Sequence, residues 1–293
     1  MVHIHGAYGP SFVRKLILFT VGKCLGCRII FQIHAGHFER YFESCRPWTR
    51  LLLRYVLRSA DAVVALSESL KEEIDAVLNS RRKIHVVGNP IDTRKYRPAA
   101  QRTSAPSTLK LLFLGAIIKP KGVYDLIESA KRLVREGFQI SLTLAGDREI
   151  ARAKRQSEQA GLGGVVQFPG WLAEPQKLEV LRDSDVLLLP SYTEGLPLSV
   201  LEAMACGLPV VCTAVGGLRD LVVNGENGFV IDPGDVDALT ECTARLLRNN
   251  ALRRQIGRNN VGKIKNDYSL NVIAKKIGRL YDEVLGITRS DDQ

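Results

Sequence analysis

Two glutamates, Glu194 and Glu202, stand with seven residues between them in a stretch that runs from Pro190 to the Gly216-Gly217 pair. Val186 to Leu189 before them is an apolar run suited to a buried parallel strand, and Pro197 begins a helix. Glu194 therefore falls on the loop beyond the strand end, and Glu202 two turns further along the chain. Two carboxylates beside a helix N-terminus suit a ligand with hydroxyls at one end and phosphate at the other. The plainer alternative is a pair of solvated glutamates. Gly195, Gly207, Pro209 and Gly216-Gly217, gathered around a further apolar strand, weigh against it.

The five histidines all precede residue 86. His34 ends the run Ile29-Ile-Phe-Gln-Ile-His and is followed by the small, tight turn Ala35-Gly36, which leaves it facing a cleft; His37 is the lesser candidate. His85 reads as structural. His3 and His5 alternate with Val2 and Ile4 on one face of a strand, where a packed and a functional imidazole are equally compatible with the pattern. Asp183-Ser184-Asp185 has metal-motif spacing but precedes a strand, at the end away from the crevice, so no metal is expected.

The elements that must position these groups alternate. Strands are predicted over Val2 to His5, Ile29 to His34 and Ala62 to Leu66, with helices over Ser11 to Leu25 and Pro47 to Ser59. After the polar segment Ala99 to Ser107 come strand Lys110 to Leu114, helix Gly122 to Glu136, strand Ser141 to Ala145 and helix Ile150 to Gln159. Strand Val165 to Phe168 and helix Glu174 to Asp183 lead into the two-glutamate segment. Strict alternation predicts parallel sheets with ligand sites at the strand C-termini. Ser59-Ala-Asp-Ala-Val-Val-Ala-Leu-Ser67 also echoes Asp183-Ser-Asp-Val-Leu-Leu-Leu-Pro-Ser191. Each segment enters a buried strand through an acid and leaves it at a serine.

At 293 residues, 45% hydrophobic, the chain is long enough for about two domains. No run has the length and apolarity of a membrane span, and no secretory leader is evident. The six cysteines are scattered. Cys24-Leu-Gly-Cys27 has zinc or redox spacing, but no second pair completes a site, so small buried hydrophobes in a reduced, cytoplasmic setting are expected. Up to Ser104 the chain has 17 Lys plus Arg against 8 Asp plus Glu, so +9 of the formal +10 lies in the first part. Arg50, Arg54 and Arg58 recur every fourth residue between Trp48, Leu51, Leu52 and Val56, which fits either an anionic membrane face or an amphipathic helix packed on its own domain. Helix-turn-helix, zinc and RNP-like patterns are missing, so nucleic acid is not an expected partner.

The Glu194/Glu202 segment and its Gly-Gly turn resemble the E-x7-E signature of the family 4 retaining glycosyltransferases, which have the GT-B fold. Gly115 to Gly122 (Gly-Ala-Ile-Ile-Lys-Pro-Lys-Gly) is similar to the family loop beneath the donor diphosphate. Ala145-Gly146-Asp147, Phe168-Pro169-Gly170, Asn224 to Gly228, Asn89-Pro90-Ile91-Asp92 and Tyr268-Ser269 occur in the family order, so the resemblance covers nearly the whole chain. It implies an α/β protein of two Rossmann-like domains and a hexosyltransferase activity using a nucleotide-sugar as substrate, with neither cofactor nor metal. The donor site implied is Gly115, Lys121, Gly122, Glu194, Gly195, Leu196, Pro197, Glu202, Gly216 and Gly217. Within it Lys121 meets the leaving phosphate, Glu202 the ribose and Glu194 the donor sugar, while His34 lies near the transferred sugar. His34, Lys121 and Glu194 are the catalytic candidates. No carboxylate nucleophile is needed, because the donor phosphate itself assists the incoming hydroxyl.

The expected organisation is a partial N-terminal acceptor-side domain over 1–98, a linker over 99–107, a donor-binding domain over 108–267, and a C-terminal helix over 268–293 returning toward the first domain. Two departures from the family pattern stand out. Ala116 replaces the arginine commonly found after the first glycine of the phosphate loop, and Lys119 is not its equivalent. The first domain also looks short of its opening strand, Gly-rich loop and following βα units. Ser11-Phe-Val-Arg-Lys15 and His34 to Phe38 resemble exopolysaccharide-assembly members, implying a lipid-linked or growing polysaccharide acceptor and a place on the inner face of the cell membrane. Alternatives are a catalytically silent donor-binding or partner subunit, a nucleotide-sugar 2-epimerase, and a basic membrane-surface adaptor.

Overall fold

The computed structural model describes residues 1–7, 10–34, 36–79, 83–99 and 108–287. In chain order the first elements are β1 (Val2–Gly6), α1 (Pro10–Cys24), β2 (Ile29–Ile33), α2 (Phe38–Ser44), α3 (Pro47–Ser59), β3 (Ala62–Ala65), α4 (Glu68–Leu78) and β4 (Ile84–Val86). Next come β5 (Leu109–Leu114), a 3-10 turn Lys119–Lys121, α5 (Val123–Arg135), β6 (Ile140–Ala145), α6 (Ile150–Gln159), β7 (Val166–Gly170), α7 (Glu174–Asp183) and β8 (Val186–Leu189). The chain continues with α8 (Leu198–Ala205), β9 (Val210–Thr213), α9 (Leu218–Leu221), β10 (Phe229–Ile231), α10 (Val236–Arg248), α11 (Asn250–Lys263), a π-helical turn Ile264–Tyr268 and α12 (Leu270–Leu285).

Two compact units result. The first comprises Met1–Pro90, Glu194–Leu196 and the stretch from Leu270; the second comprises Ile91–Thr193 and Pro197–Ser269. The change of unit thus falls at Pro90-Ile91, where the Ile91 amide donates to the Tyr268 carbonyl inside the second unit at 2.8 Å. Residues 100–107 of the expected linker lie outside the described residues.

The first unit, which the sequence led us to expect short of opening βα units, has a four-stranded parallel sheet in the order β1-β2-β3-β4 and its own core. Side chains alternate faces along each strand. Ile30, Ala62 and Val64 pack against Ile273 and Leu280 of α12. Phe31 and Ile33 lie on the other face, around a small apolar cavity shared with Phe12, Phe38, Leu53 and Leu57 from α1, α2 and α3. Helices therefore cover both faces, which is why β3 reads as an unbroken apolar run and β2 as one interrupted by Gln32 alone. The sequence reading omitted α2 and α4.

On α3 the arginines do not form a free charged face. The Arg54 guanidinium donates to the Val77 carbonyl at 3.1 Å and that of Arg58 to Leu78 at 2.6 Å, both at the C-terminal end of α4; Arg50 donates to the carbonyls of Glu43 and Cys45 at the end of α2. Cations at helix C-termini satisfy the last carbonyls and oppose the negative end of the dipole. Beside Arg54 and Arg58, α3 exposes the apolar Trp48, Leu51 and Tyr55, and α1 exposes Ile17, Leu18 and Val21, with Leu25 just beyond its end. Among the described residues no helix is long and apolar enough to cross a membrane. The cysteine expectation also needs correction. Cys206 and Cys212 are buried, but Cys24 is exposed and Cys27 half-buried, because they sit at the end of α1 and in the turn that follows; none forms a disulfide.

The second unit is a six-stranded parallel sheet in the order β10-β9-β8-β5-β6-β7. The chain winds outward from β5 through β6 and β7, then returns to the other side of β5 and continues through β8, β9 and β10. That reversal opens a crevice beyond the C-terminal ends of β5 and β8, the place where such sheets bind ligands.

Candidate functional site

A cavity of about 400 Å³ lies at that end of the second unit, lined by Gly115 and Gly146 after β5 and β6, by Trp171 to Glu174 and Lys177, and by Leu198, Ser199 and Glu202 of α8. Part of its floor is bare backbone, because no side chain fits at Gly146. A Cβ on Gly146 would lie 1.7 Å from the Gly115 carbonyl oxygen, and the Gly146 amide donates to Gly170 at 2.9 Å. Trp171 is 74% exposed, so its indole offers an open face on which a planar ring can stack.

Glu202 is buried, and its carboxylate accepts from the Lys177 ammonium at 2.7 Å. Lys177 also stands 5.4 Å from the centre of the Tyr96 ring, and the Tyr96 hydroxyl donates to Glu174 at 3.1 Å. Burial, then the neighbouring Glu202 and Glu174 carboxylates, push the Tyr96 phenol far above its ordinary value, so it stays a donor. The cavity lining therefore carries one cation and two carboxylates, with the Tyr96 phenol donating to one of the carboxylates. Such a set orders hydroxyl groups and admits an anion beside Lys177.

Gly115 and Glu202 are the two sequence candidates brought into this cavity. Lys121 closes the 3-10 turn that leads to Gly122. Gly122 has φ 70°, and a Cβ there would lie 2.1 Å from the Pro190 carbonyl oxygen, so the corner before α5 requires glycine. Neither residue lines the cavity, nor do Pro197, Gly216 or Gly217. The helices beginning at these positions share one property: α5 after Gly122, α8 after Pro197 and α9 after Gly217 have no side chain capping their N-termini. By contrast, Asp235 and Asn249 cap α10 and α11 with their side chains. Asp183 and Asp185, excluded above as metal ligands, are tied to the start of β5: the Lys110 amide donates to Asp185 at 2.8 Å, and the Lys110 ammonium pairs with Asp183. Among the described residues no group of three or more His, Cys, Asp or Glu could hold a metal ion.

Glu194, Gly195 and Leu196 group with the first unit. Asn89 donates its side-chain amide to the Leu196 carbonyl at 2.8 Å. The Glu194 backbone lies so close to Gly36 that a Cβ on Gly36 would be 1.7 Å from its carbonyl oxygen, which makes the glycine of the His34-Ala-Gly turn obligatory. Glu194 is itself buried. The spacing of Glu194 and Glu202 therefore runs from one compact unit into the other.

In the first unit His34 is half-buried, with Nε2 2.7 Å from Nδ1 of His5. Burial, then the charges of His5 and His3, hold its pKa down at about 4; burial and the neighbouring His5 hold His3 at about 4 as well. His5 is lowered by burial and by Lys15. His37 starts α2 in the left-handed region, φ 56°. His85, on β4, is lowered mainly by burial.

Sequence reasoning missed Lys177, Glu174 and Tyr96. The first two share one face of α7 at i, i+3 spacing, but nothing local says that Lys177 meets a carboxylate 25 residues on. The Asn89 to Asp92 segment signalled only that residues near Tyr96 matter.

The pattern of the Glycosyl transferases group 1 family matches residues 98–262, and that of Glycosyltransferase Family 4 matches residues 1–95. Among curated proteins, the capsular polysaccharide biosynthesis glycosyltransferase CapM of Staphylococcus aureus is 29% identical over 80% of this chain and 65% of its own length. A glycogen synthase of Mycobacterium tuberculosis is 28% identical over 84% and 58%. The chain thus spans less than two thirds of the length of either. Among solved structures, a sucrose-phosphate synthase of Thermosynechococcus elongatus superposes with a TM-score of 0.82 at 23% identity, covering 98% of this chain and 74% of that one. Anabaena HepE in complex with UDP also gives 0.82, at 18% identity, covering 96% and 78%. These likenesses show the two-domain GT-B architecture.

Proposed function

The chain belongs to the Glycosyl transferases group 1 family, whose pattern covers more than half of it, and from that premise we propose that it is a retaining hexosyltransferase. It moves a sugar from a nucleotide-sugar donor to a lipid-linked or growing polysaccharide acceptor. The observation that carries the donor half is the cavity of the second unit. There a buried carboxylate held by Lys177, an exposed indole and a side-chain-free glycine floor meet beside the N-terminus of α8. HepE, of like fold, has been solved in complex with UDP, which supports a nucleotide as the ligand.

In this reading the base stacks at Trp171 and the ribose hydroxyls donate to Glu202, which the Lys177 ammonium holds. The diphosphate lies toward the uncapped starts of α5 and α9, where Lys121 and the first-turn amides oppose its negative charge. As the bond to the anomeric carbon breaks, charge grows on the leaving phosphate and opposite charge on the sugar. Lys121 stabilises the first, and Glu194 holds the sugar's hydroxyls. His34 borders the sugar as a neutral imidazole. The acceptor hydroxyl passes its proton to a donor phosphate oxygen, which balances the step without a protein nucleophile, a metal or a further cofactor.

The acceptor half rests on the first unit. Its net basic charge and the apolar residues exposed on α1 and α3 suit a substrate carried on an anionic membrane surface, with the protein peripheral on the cytoplasmic face. CapM, named for capsular polysaccharide biosynthesis, fits an exported polysaccharide as the product.

Thermal melts against UDP, GDP, ADP and their sugars test the donor reading, since a ligand that binds only the folded state raises Tm. One nucleotide series is expected to stabilise the protein. Glu202→Ala, which also strands the Lys177 ammonium, is expected to weaken that binding roughly 30-fold or more. Absence of any shift from the well-folded wild type would overturn the donor assignment.

A further inference from the structure

Three imidazoles and a phenol form a connected row at the rim of the first unit. His3 and His5, two residues apart on β1, point to the face covered by α12. Their rings stack with centroids 4.4 Å apart and planes 23° from parallel. At one end, Nδ1 of His3 is 2.8 Å from the Tyr281 hydroxyl of α12. At the other, Nδ1 of His5 is 2.7 Å from Nε2 of His34, just beyond β2. His3 Nε2 and Gln32 Oε1 are both buried without a well-formed partner, and Gln32 is the side chain whose hydrogen bonding acts on His3.

A neutral imidazole has one N–H and one lone pair, so two ring nitrogens 2.7 Å apart hold a single proton between them. With none, two lone pairs collide; with two, the N–H groups do. The tautomers of His5 and His34 are therefore coupled. If His5 donates, its own proton sits on Nδ1 and His34 keeps an Nδ1–H. If His34 donates from Nε2, both rings carry the Nε2–H form that free imidazole side chains prefer, and Nδ1 of His34 is left as a lone pair. The charged and polar groups around the pair favour neutrality: Lys15 from α1, His3 from β1, Gln32 from β2 and Tyr281 from α12 supply no carboxylate to stabilise an imidazolium.

We propose that His5 is a positioning residue that accepts the Nε2–H of His34, fixing its ring orientation and tautomer so that Nδ1 of His34 is an acceptor for a hydroxyl of the transferred sugar. The proposal rests on His34 bordering that sugar. A partner that accepts a ring's N–H and so fixes its tautomer and orientation is how ligating histidines are held elsewhere; here the acceptor is a second imidazole and the other nitrogen serves hydrogen bonding in place of metal binding.

The test compares wild type with His5→Asn, whose amide can occupy the place of Nδ1, and His5→Leu, which cannot hydrogen-bond. Imidazole nitrogen shifts measured by NMR on ¹⁵N-histidine protein near pH 7.5 should show His34 as one neutral Nε2–H tautomer in wild type and His5→Asn. In His5→Leu a tautomer mixture is expected. In turnover of the nucleotide-sugar identified by thermal shift, His5→Leu should lower kcat about tenfold or more with little change in nucleotide affinity, and His5→Asn should recover most of it. A His34 signal in His5→Leu identical to wild type, an Nδ1–H tautomer in wild type, or Asn and Leu variants equally impaired would each overturn the proposal. A wild type that binds no nucleotide-sugar would instead sink the donor reading, while the nitrogen shifts still decide whether His5 orients His34. Far-ultraviolet melts of both variants separate loss of fold from loss of orientation.

Discussion

The strand-to-helix units β3-α4 and β8-α8 begin alike and end differently. Asp61 accepts from the Ile29 amide at 2.8 Å and returns its own amide to the Ile29 carbonyl at 2.7 Å. Asp185 does the same with Lys110, at 2.8 Å both ways. In each case an acid locks the entry of a strand to its neighbour. At the exit, Ser67 follows β3 after the single residue Leu66, and its hydroxyl takes the Leu70 amide, capping α4. After β8 a longer loop intervenes, and α8 starts after Pro197 with no side-chain cap. The same supersecondary unit thus serves stability in one place and leaves an open helix end in the other. A capped N-terminus has already used the positive end of its dipole, whereas an uncapped one can turn it on an anion.

Breaking the open end through its glycine floor should have the largest effect. Gly146→Ala places a methyl carbon against the Gly115 carbonyl in a densely hydrogen-bonded corner, and we expect roughly 3 kcal/mol or more of destabilisation, read by urea denaturation. A change below about 0.5 kcal/mol would mean that the strand ends are looser than their backbone contacts imply.

Acid separates the units next. All five histidines belong to the first unit. His3 and His34 have folded pKa values held at about 4, below the ordinary 6.5, so the folded state binds fewer protons than the unfolded one between those values. Their contribution is fully present above about pH 6.5 and is lost as pH falls toward 4. For Asp61, burial opposes ionisation, but the Ile29 amide, Arg28 and Lys23 outweigh it and bring its pKa to about 2, so its contribution is lost only below the ordinary 3.8. Hydrogen exchange should therefore show β1 and β2 losing protection between pH 6.5 and 4 before β8 and β9 do, with Tm falling by roughly 5 °C. Simultaneous loss in both sheets would dissolve the contrast.

The smallest effect sharpens the comparison at its capped side. Ser67→Ala should cost about 1 kcal/mol through the lost cap of α4 and leave nucleotide binding unchanged. Chemical denaturation with a binding control checks both halves.

Much of this was legible without coordinates because it is local. Short apolar runs marked β2, β3, β5, β6 and β8, and helix α3 was read to the residue. The acid-strand-serine echo was visible as a pattern, though only the structure shows the acids holding neighbouring strand amides. Glycines carried the most: Gly36, Gly122 and Gly146 are each obligatory because backbone passes where a Cβ would sit.

What the sequence by itself determined is the order of βα units, the position of the glycine corners and the membership of a family with two such domains. These depend on residues near one another in the chain and on periodicities of two and 3.6. Tertiary structure alone decided the rest. Lys177 holds Glu202 across 25 residues, Tyr281 reaches His3 across 278, and the α3 arginines, exposed as Arg54 and Arg58 are, bind the carbonyls at the ends of α2 and α4. Such pairings are chosen by packing among many charges of equal local plausibility, so no spacing rule announces them.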